Sequence, residues 1–233
     1  MSKQDFKWPV VSLCDAQLLD VRPEDIIEDG LYRTCNTYRG GGGYDEFNEI
    51  YGNRFDNTPD QTQFVVQLKG CPLKCPYCYV TDQGINGKAT FTSSKDIINS
   101  YQNCGYQVFH LMGGAPALYL EHWKDIAYDK QIDIFHSDFI LVEKPYKMEW
   151  VTDLPGLHAV SIKEPYIYTP VQLGLLWRNL SLLVRSNTNF YITFTGKPIL
   201  RDEIVRRFGK ELLKDSFVID IKPYKALKER NPI

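Results

Sequence analysis

The stretch QFVVQLKGCPLKCPYCYV, residues 63 to 80, joins a run of apolar and β-branched residues to three closely spaced cysteines. Residues 63 to 69 predict a buried β-strand, because valine, phenylalanine and leucine pack well on a covered, pleated surface. Cys71, Cys75 and Cys78 follow at once, so the sequence places them on the loop that leaves the carboxyl end of this strand. The strand and its loop form the first unit of a longer pattern.

Five further β-rich runs follow this first strand. They cover residues 106 to 112, 138 to 143, 158 to 163, 190 to 195 and 217 to 222. Helix-like patterns separate most of them, and this alternation is typical of repeated βα units around a parallel sheet. Six such units with right-handed crossovers predict an α/β fold, a partial (β/α)6 barrel of the TIM type, with functional groups at the carboxyl ends of its strands.

Three of the helices have recognisable starting points in the sequence. Ser94 can cap a helix before the apolar positions that follow it. Thr169 followed by Pro170 is a typical pair of cap and first-turn residues, and Pro198 opens a further helix. The connection between the third and fourth predicted strands is short and gives only a weak helix pattern.

Residues 1 to 62 do not share the repeat. We predict that they form an N-terminal extension of irregular structure, and that residues 63 to 233 form the core domain. The extension is acidic, with twelve Asp or Glu against six Lys or Arg. Its four consecutive glycines, residues 40 to 43, favour flexibility or a close approach of the backbone to a ligand.

Composition sets limits on the location and partners of the protein. The chain has 233 residues, 43% of them hydrophobic, and a net charge of −2, so no field of positive charge suggests nucleic acid as a partner. It contains no apolar run of the roughly 18 residues that a membrane span needs, and its charged first residues do not resemble a signal peptide. We therefore expect a cytoplasmic protein without a membrane partner, in which clustered cysteines are metal ligands or catalytic groups.

The cysteine spacing allows several chemistries. A structural zinc site normally closes with four ligands, and the spacing supplies three. A redox pair would use Cys75 and Cys78 and leave Cys71 idle. An iron–sulfur cluster held by three thiolates uses all three cysteines and leaves one iron for an external ligand. Spacing alone favours the cluster but leaves zinc and a redox pair as alternatives.

Two motifs together resemble the radical S-adenosylmethionine (SAM) superfamily. CPLKCPYCY, residues 71 to 79, has the spacing of that family's cluster motif, including the aromatic Tyr77 before the last cysteine. HLMGGAPALYL, residues 110 to 120, is similar to the family's Gly-Gly-Glu-Pro segment in the four residues Gly113, Gly114, Ala115 and Pro116. The resemblance covers residues 63 to about 222, and the small activating enzymes of the pyruvate formate-lyase type are the most similar members. Ala115 departs from the family pattern, which has glutamate there.

The resemblance implies a concrete chemistry. Cys71, Cys75 and Cys78 are expected to hold a 4Fe-4S cluster, whose fourth iron binds the amino and carboxylate groups of SAM. Reductive cleavage of SAM then gives a 5′-deoxyadenosyl radical that takes hydrogen from the substrate. The electron is expected from a donor such as a flavodoxin or ferredoxin. Because the family's glycine segment meets SAM through backbone carbonyls, Ala115 affects fine positioning more than SAM binding.

The end of the fourth predicted strand carries a further candidate pair. Ser161 and Lys163 alternate to the same side of the strand. They resemble the Asp-x-Lys of pyruvate formate-lyase activating enzymes, whose lysine lies near SAM. We predict that Lys163 contacts SAM or the substrate, and the alternative is an ion pair with Glu164 or Glu143.

Other polar candidates carry weaker expectations. Four residues share only their place near the end of a predicted strand, namely Thr193, Thr195, Asp220 and Lys222. His110 is expected to pack inside the sheet, and the scattered cysteines are expected to act as small hydrophobic residues. These are Cys14, Cys35 and Cys104.

The resemblance leads to a ranked set of functions. The first is activation of a glycyl radical enzyme, in which a backbone glycine of a protein donates the hydrogen. The second is modification of a small molecule or a peptide, as in the 7-carboxy-7-deazaguanine synthases of similar size. A non-catalytic iron–sulfur or zinc protein is the third, although neither role needs the Gly-Gly-Ala-Pro segment on the next strand.

Overall fold

The computed structural model describes residues 5–11, 26–28, 30–34, 63–78, 80–105, 108–126, 132–137, 139–140, 142–152, 157–186, 188–214 and 216–219. Within these ranges the strands are β1 Lys7–Val10, β2 Ile26–Glu28, β3 Leu31–Thr34, β4 Gln63–Gln67, β5 Thr90–Ser93, β6 Val108–Met112, β7 Ile132–Ser137, β8 Leu157–Ile162, β9 Phe190–Thr195 and β10 Phe217–Ile219. The α-helices are α1 Asp82–Asn86, α2 Ser94–Cys104, α3 Met148–Thr152, α4 Pro170–Arg185 and α5 Arg201–Phe208. Short 3-10 segments cover Pro116–Asp125, Pro145–Lys147, Pro165–Ile167 and Lys210–Leu213.

One large sheet organises the molecule. Its strands lie in the order β10-β9-β8-β7-β6-β4-β3-β2. The six strands from β4 to β10 in this sheet are parallel and follow chain order, as successive βα units require. In the described residues the sheet is open, with β2 and β10 at its two ends. The predicted α/β class and the parallel, sequential arrangement are confirmed.

The prediction for the third strand is wrong. The strand between β6 and β8 is Ile132–Ser137, not residues 138 to 143. Phe139 has a positive φ of 57°, which interrupts extended backbone. The loop carbonyls of Phe139 and Val142 accept hydrogen bonds from the side-chain amide of Asn179, at 2.7 and 3.0 Å. The apolar residues of this loop are buried in the core, which is why they resemble a strand in the sequence.

The described part of the N-terminal extension contains three strands, where the sequence predicts irregular structure. β1 pairs antiparallel with β5, and Val10 also bridges Leu68 beside the large sheet. β3 pairs antiparallel with β4, and β2 pairs with β3. Strands of three or four residues are too short to give a clear alternating pattern. The four-glycine loop, Cys14 and Cys35 lie outside the described residues.

The helix starts agree closely with the expected cap residues. Thr169 caps α4 through a capping box with Gln172, and Pro170 is its first residue, as predicted. The cap of α2 is Ser93 rather than Ser94, since the Ser93 hydroxyl accepts a hydrogen bond from the backbone of Asp96 at 3.0 Å. The helix expected at Pro198 begins three residues later, at Arg201.

The sheet separates an apolar layer from an inner layer in which polar and apolar side chains are mixed. Phe64 and Val66 of β4 and Phe109 and Leu111 of β6 pack in the hydrophobic core beneath the helices. The residues between them point to the opposite, inner side of the sheet. Buried polar side chains at such inner positions are Gln67, His110, Ser161 and Thr193. Among the described helices, none is long and apolar enough to cross a membrane.

Candidate functional site

The backbone that leads into the cysteine loop is held from several sides. The Leu68 N–H donates to the carbonyl of Met112 at 2.8 Å, and the Lys69 N–H donates to the carbonyl of Pro9 at 3.0 Å. The Tyr119 hydroxyl donates to the carbonyl of Lys69 at 2.6 Å. The loop therefore starts from a backbone whose position is set by β1, β6 and the 3-10 segment after β6.

The three predicted cluster ligands lie together on this loop. Cys71 is exposed, whereas Cys75 and Cys78 are half-buried, and within the described residues none is part of a disulfide. The Cys78 N–H donates to the carbonyl of Cys75 at 3.1 Å, so a turn sets the spacing of these two thiols. As it stands, the described part of the chain holds no group of three His, Cys, Asp or Glu side chains arranged to bind a metal ion.

The Gly-Gly-Ala-Pro segment forms a tight turn against the cysteine loop. Gly113 and Gly114 have φ values of 76° and 50°, a conformation that side chains disfavour. A Cβ on Gly113 would overlap the side-chain amide of Gln67, and a Cβ on Gly114 would overlap the carbonyl oxygen of Gly70. The backbone conformation favours glycine at both positions, and at Gly114 the close approach of backbone requires it as well.

Ala115 and Pro116 complete the turn. Ala115 is buried, so the side chain that stands where the family has glutamate packs inside the protein. Its N–H donates to the carbonyl of Gly70 at 2.6 Å. Pro116 begins the 3-10 segment, and its carbonyl accepts from the Trp123 indole at 3.0 Å. The carboxyl ends of β4 and β6 are thus joined through backbone, one residue before Cys71.

Tyr77 extends from the cysteine loop after β4 to the carboxyl end of β9. Its ring is buried, and its hydroxyl lies 3.5 Å from the carbonyl of Thr195 at the end of β9, to which it donates. Burial raises the pKa of Tyr77 above its ordinary value, and nearby negative charge at Cys75 adds to this effect. Tyr77 is therefore a neutral phenol that links the cysteine loop to β9.

Ser161 and Lys163 meet at the end of β8, as their spacing predicts. Ser161 is buried, Lys163 is half-buried, and the Lys163 ammonium donates to the Ser161 hydroxyl. The same ammonium donates to the Thr195 hydroxyl at 3.2 Å. The local sequence around Thr195 does not predict this contact, because the contact depends on β8 and β9 being neighbours in the sheet.

Neither alternative ion pair for Lys163 forms. The Glu164 carboxylate is buried, accepts from the Tyr166 hydroxyl at 2.5 Å and lies 3.4 Å from the donating N–H of Lys197. This carboxylate raises the pKa of Tyr166. Glu143 is exposed on the loop after β7, where its carbonyl accepts from Arg178 at 2.5 Å. Among the described residues, Lys163 makes no ion pair with a carboxylate.

Other chemistry-bearing residues lie away from these loops. His110 is fully buried on β6, and burial lowers its pKa to about 3, so it stays neutral as a packed side chain. Cys104 lies in the last turn of α2, where its thiol donates to the carbonyl of Tyr101 at 2.9 Å. The described part of the structure adds no cysteine to the loop set.

Comparison with known proteins gives a likeness in fold. No protein-family model and no curated protein sequence matches the chain. The chain is similar to SuiB of Streptococcus suis, solved with the precursor peptide SuiA, with a TM-score of 0.52 and 15% identity over 66% of this chain and 37% of SuiB. It also matches anSMEcpe with bound AdoMet, with a TM-score of 0.48 and 16% identity over 66% of this chain and 49% of that one.

The likeness to SuiB shows the fold of this region. At 15% identity, the likeness extends only to the arrangement of strands and helices. The matched region spans little more than a third of SuiB. The likeness agrees with the predicted α/β class.

The donor set can be compared with the expected cluster. Three thiols in one loop match the three protein ligands of a 4Fe-4S cluster that keeps one iron for an external ligand. Around them, Gly113 and Gly114 bring backbone rather than side chains up to the loop. The residues therefore fit the cluster by chemistry, although the thiols have to converge further to bind it.

Proposed function

We propose that this protein is a radical SAM enzyme. The observation that carries the proposal is the hydrogen bond from the Ala115 N–H to the Gly70 carbonyl, which joins the cysteine loop and the glycine turn at neighbouring strand ends. Functional groups of parallel α/β folds gather at this end of the strands. The fold shared with SuiB supports the same assignment.

Each motif has a proposed role. Cys71, Cys75 and Cys78 would hold the 4Fe-4S cluster, and the cluster would supply the electron that cleaves SAM to a 5′-deoxyadenosyl radical. The backbone from Gly113 to Pro116 would line the position of the SAM amino group. Tyr77, whose ring is buried, would close the site on the side of β9.

The surface around the strand ends is the support for our choice of substrate class. Exposed apolar side chains stand on the segments that follow β4, β6, β8 and β9, namely Ile85, Leu118, Tyr166 and Ile199. Contiguous exposed apolar patches mark protein-binding surfaces, and these four side chains support a macromolecular partner on condition that they form one such patch. We propose a polypeptide substrate, either the glycyl site of a radical enzyme or a peptide.

Peptide modification is the second candidate. SuiB, whose fold is similar, was solved with a precursor peptide, which favours this candidate over a small-molecule substrate. In both candidates the protein would work in the cytoplasm with a one-electron donor such as a flavodoxin or ferredoxin.

Anaerobic reconstitution tests the enzyme class. The protein would be treated with iron and sulfide, then with dithionite and SAM, and 5′-deoxyadenosine would be measured. We expect a visible iron–sulfur absorption band and formation of 5′-deoxyadenosine. A band without this product would favour an electron-transfer protein, and the absence of both would exclude a radical SAM enzyme.

Deuterium transfer separates the substrate classes. Candidate proteins, peptides and small molecules would be deuterated and tested for transfer into 5′-deoxyadenosine. Transfer from a protein glycine would support the activase, and transfer from a peptide side chain would support peptide modification. Transfer only from a small molecule would overturn the polypeptide proposal.

A further inference from the structure

The side chain of Lys69 closes the cysteine loop into a ring. Lys69 stands two residues before Cys71, and its ammonium donates a hydrogen bond to the carbonyl of Gly84, 15 positions further along the chain. Gly84 belongs to α1, the helix that follows Cys78. All three cysteines, Cys71, Cys75 and Cys78, therefore lie between the two residues that this bond joins.

The acceptor of this bond lies at the end of α1. The last four carbonyls of a helix have no partner within the helix, and Gly84 carries one of those of α1. The last turn of α1 contains no basic residue of its own, so the Lys69 ammonium is the positive group that meets this carbonyl. The Gly84 N–H donates to the Thr81 hydroxyl, which caps the start of α1, at 2.9 Å. Both polar groups of the Gly84 backbone are thus fixed by side chains from the two ends of the cysteine loop.

Lys69 is held by its backbone as well as by its side chain. Its N–H donates to the carbonyl of Pro9 in β1, and its carbonyl accepts from the Tyr119 hydroxyl. Lys69 is half-buried and Gly84 is buried, so the bond between them is partly shielded from water. Hydrogen bonds from an ammonium are stronger than those between neutral groups. The end of the loop at α1 is therefore tied to the same residue from which the loop starts.

We propose that Lys69 positions the cysteine loop for metal binding. A loop whose ends are held together has fewer conformations than an open one, so less entropy is lost when its thiols converge on a metal. The thiols take no part in the bond between Lys69 and Gly84, which leaves them room to converge. That the metal belongs to an iron–sulfur cluster rests on the proposed function, whereas the confinement of the loop concerns the protein without metal.

Hydrogen exchange of the full-length, metal-free protein tests this confinement. Lys69→Met removes the ammonium and keeps a side chain of similar length, and Lys69→Arg restores a positive donor. In Lys69→Met the amide hydrogens of Cys78 and Ile85, both bonded to nearby carbonyls, should exchange about tenfold faster, the effect of losing one hydrogen bond to a charged group. Exchange in peptides from α4 should not change. Lys69→Arg should slow the exchange in the loop and in α1 again.

Cluster assembly tests the consequence for metal binding. Each variant would be reconstituted anaerobically with limiting iron and sulfide, and the rise of the iron–sulfur absorption band would be timed. Lys69→Met should assemble the cluster up to about tenfold more slowly than the unmodified protein, and Lys69→Arg should recover most of the rate. Lys88→Met is the matched control, because Lys88 is an exposed lysine just after α1. This control should change neither exchange nor assembly.

Thr81→Val approaches the same contact from its other side. The change removes the hydroxyl that accepts from the Gly84 N–H while keeping the shape of the side chain. It should speed exchange in α1 and slow cluster assembly. Because Lys69 and Thr81 both act on Gly84, the double variant should slow assembly by less than the product of the two single effects. Effects that multiply fully would show that the two residues act independently, against the proposal.

The remaining outcomes are equally distinct. Faster exchange with slower assembly in Lys69→Met, both recovered in Lys69→Arg and absent in Lys88→Met, would support the proposal. Unchanged exchange in Lys69→Met, or no recovery in Lys69→Arg, would overturn it. If Lys69→Met is too unstable to measure, slow assembly in Thr81→Val supports the proposal and normal assembly overturns it. If the exchange results hold but the unmodified protein forms no cluster, the proposed function fails and the confinement of the loop by Lys69 stands.

Discussion

Ala115 and Gly70 are joined by a backbone hydrogen bond of 2.6 Å, although 45 positions separate them in the chain. This bond connects the turn after β6 with the residue that precedes Cys71. Because both partners are backbone atoms, the contact survives whatever side chain stands at position 115. The alanine found in place of the family's glutamate is therefore compatible with the joined loops.

Gly114→Ala should disrupt this junction. A residue with a side chain in the left-handed region costs about 1 to 2 kcal/mol, and here the new Cβ would also overlap the Gly70 carbonyl oxygen, which is backbone and has to move. We expect a larger loss of unfolding free energy than the backbone conformation alone causes, together with poor cluster loading. Urea unfolding and iron content after reconstitution measure the two effects.

Gly105→Ala is the matched control. Gly105 also has a positive φ, of 71°, but a Cβ there meets no atom within 4 Å. In this variant the unfolding free energy should fall only by the cost of the backbone conformation, and the protein should load iron normally. Equal losses of unfolding free energy in the two variants would show that the contact of Gly114 with Gly70 is unimportant.

Cys75→Ala should abolish cluster assembly and 5′-deoxyadenosine formation with little loss of stability. Cys75 is half-buried on a loop and contributes little to the core, so its removal leaves the sheet intact. Cys104→Ala serves as control, since that thiol is half-buried in α2, away from the cysteine loop. Iron content, visible absorption and circular dichroism would be compared. Normal iron content in Cys75→Ala would refute its assignment as a ligand.

Tyr119→Phe should loosen the start of the cysteine loop. The change removes the hydrogen bond to the Lys69 carbonyl, and one such bond contributes about 1 kcal/mol. We expect a loss of that order in the unfolding free energy and faster alkylation of the loop cysteines by iodoacetamide. Tyr146→Phe, on an exposed tyrosine after β7, should change neither quantity. Unchanged alkylation in Tyr119→Phe would contradict the positioning role of Tyr119.

Acid should destabilise the protein through its buried histidines. Burial lowers the pKa of His110 to about 3 and that of His158 to about 4. Below the ordinary pKa of about 6.5 the unfolded chain takes up a proton that the folded protein excludes. As the pH is lowered, the unfolding free energy therefore decreases by about 1.4 kcal/mol per pH unit for each histidine. The decline should run from about pH 6.5 until the folded pKa values are reached.

His158→Phe tests this pH dependence. His158 packs between the rings of Trp123 and Phe139, at centroid distances of 6.2 and 5.9 Å, so phenylalanine fits the site chemically. The variant should show a smaller loss of unfolding free energy between about pH 7 and about pH 5 than the unmodified protein. An identical pH dependence in urea unfolding would rule out His158 as a contributor.

The prediction of the fold succeeded where local patterns were distinctive. The capping box at Thr169 and the strands β4, β6, β8 and β9 follow from local chemistry. The third strand failed because two neighbouring runs, residues 132 to 137 and residues 138 to 143, are both rich in large apolar residues. Hydrogen bonds from Asn179, 40 positions away from Phe139, favour a loop for the second run, and no local pattern contains that information.

For the candidate site, the division between what the local sequence predicts and what the tertiary structure decides has a clear physical basis. Spacing along the chain places Cys71, Cys75 and Cys78 on one loop, and strand alternation puts Ser161 and Lys163 on one side, because both depend only on local backbone geometry. The contacts of Thr195 with Lys163 and with Tyr77 depend instead on which strands become neighbours. Strand order is set by packing over the whole sheet, so the tertiary structure alone brings β9 to the cysteine loop and makes Thr195 part of the site.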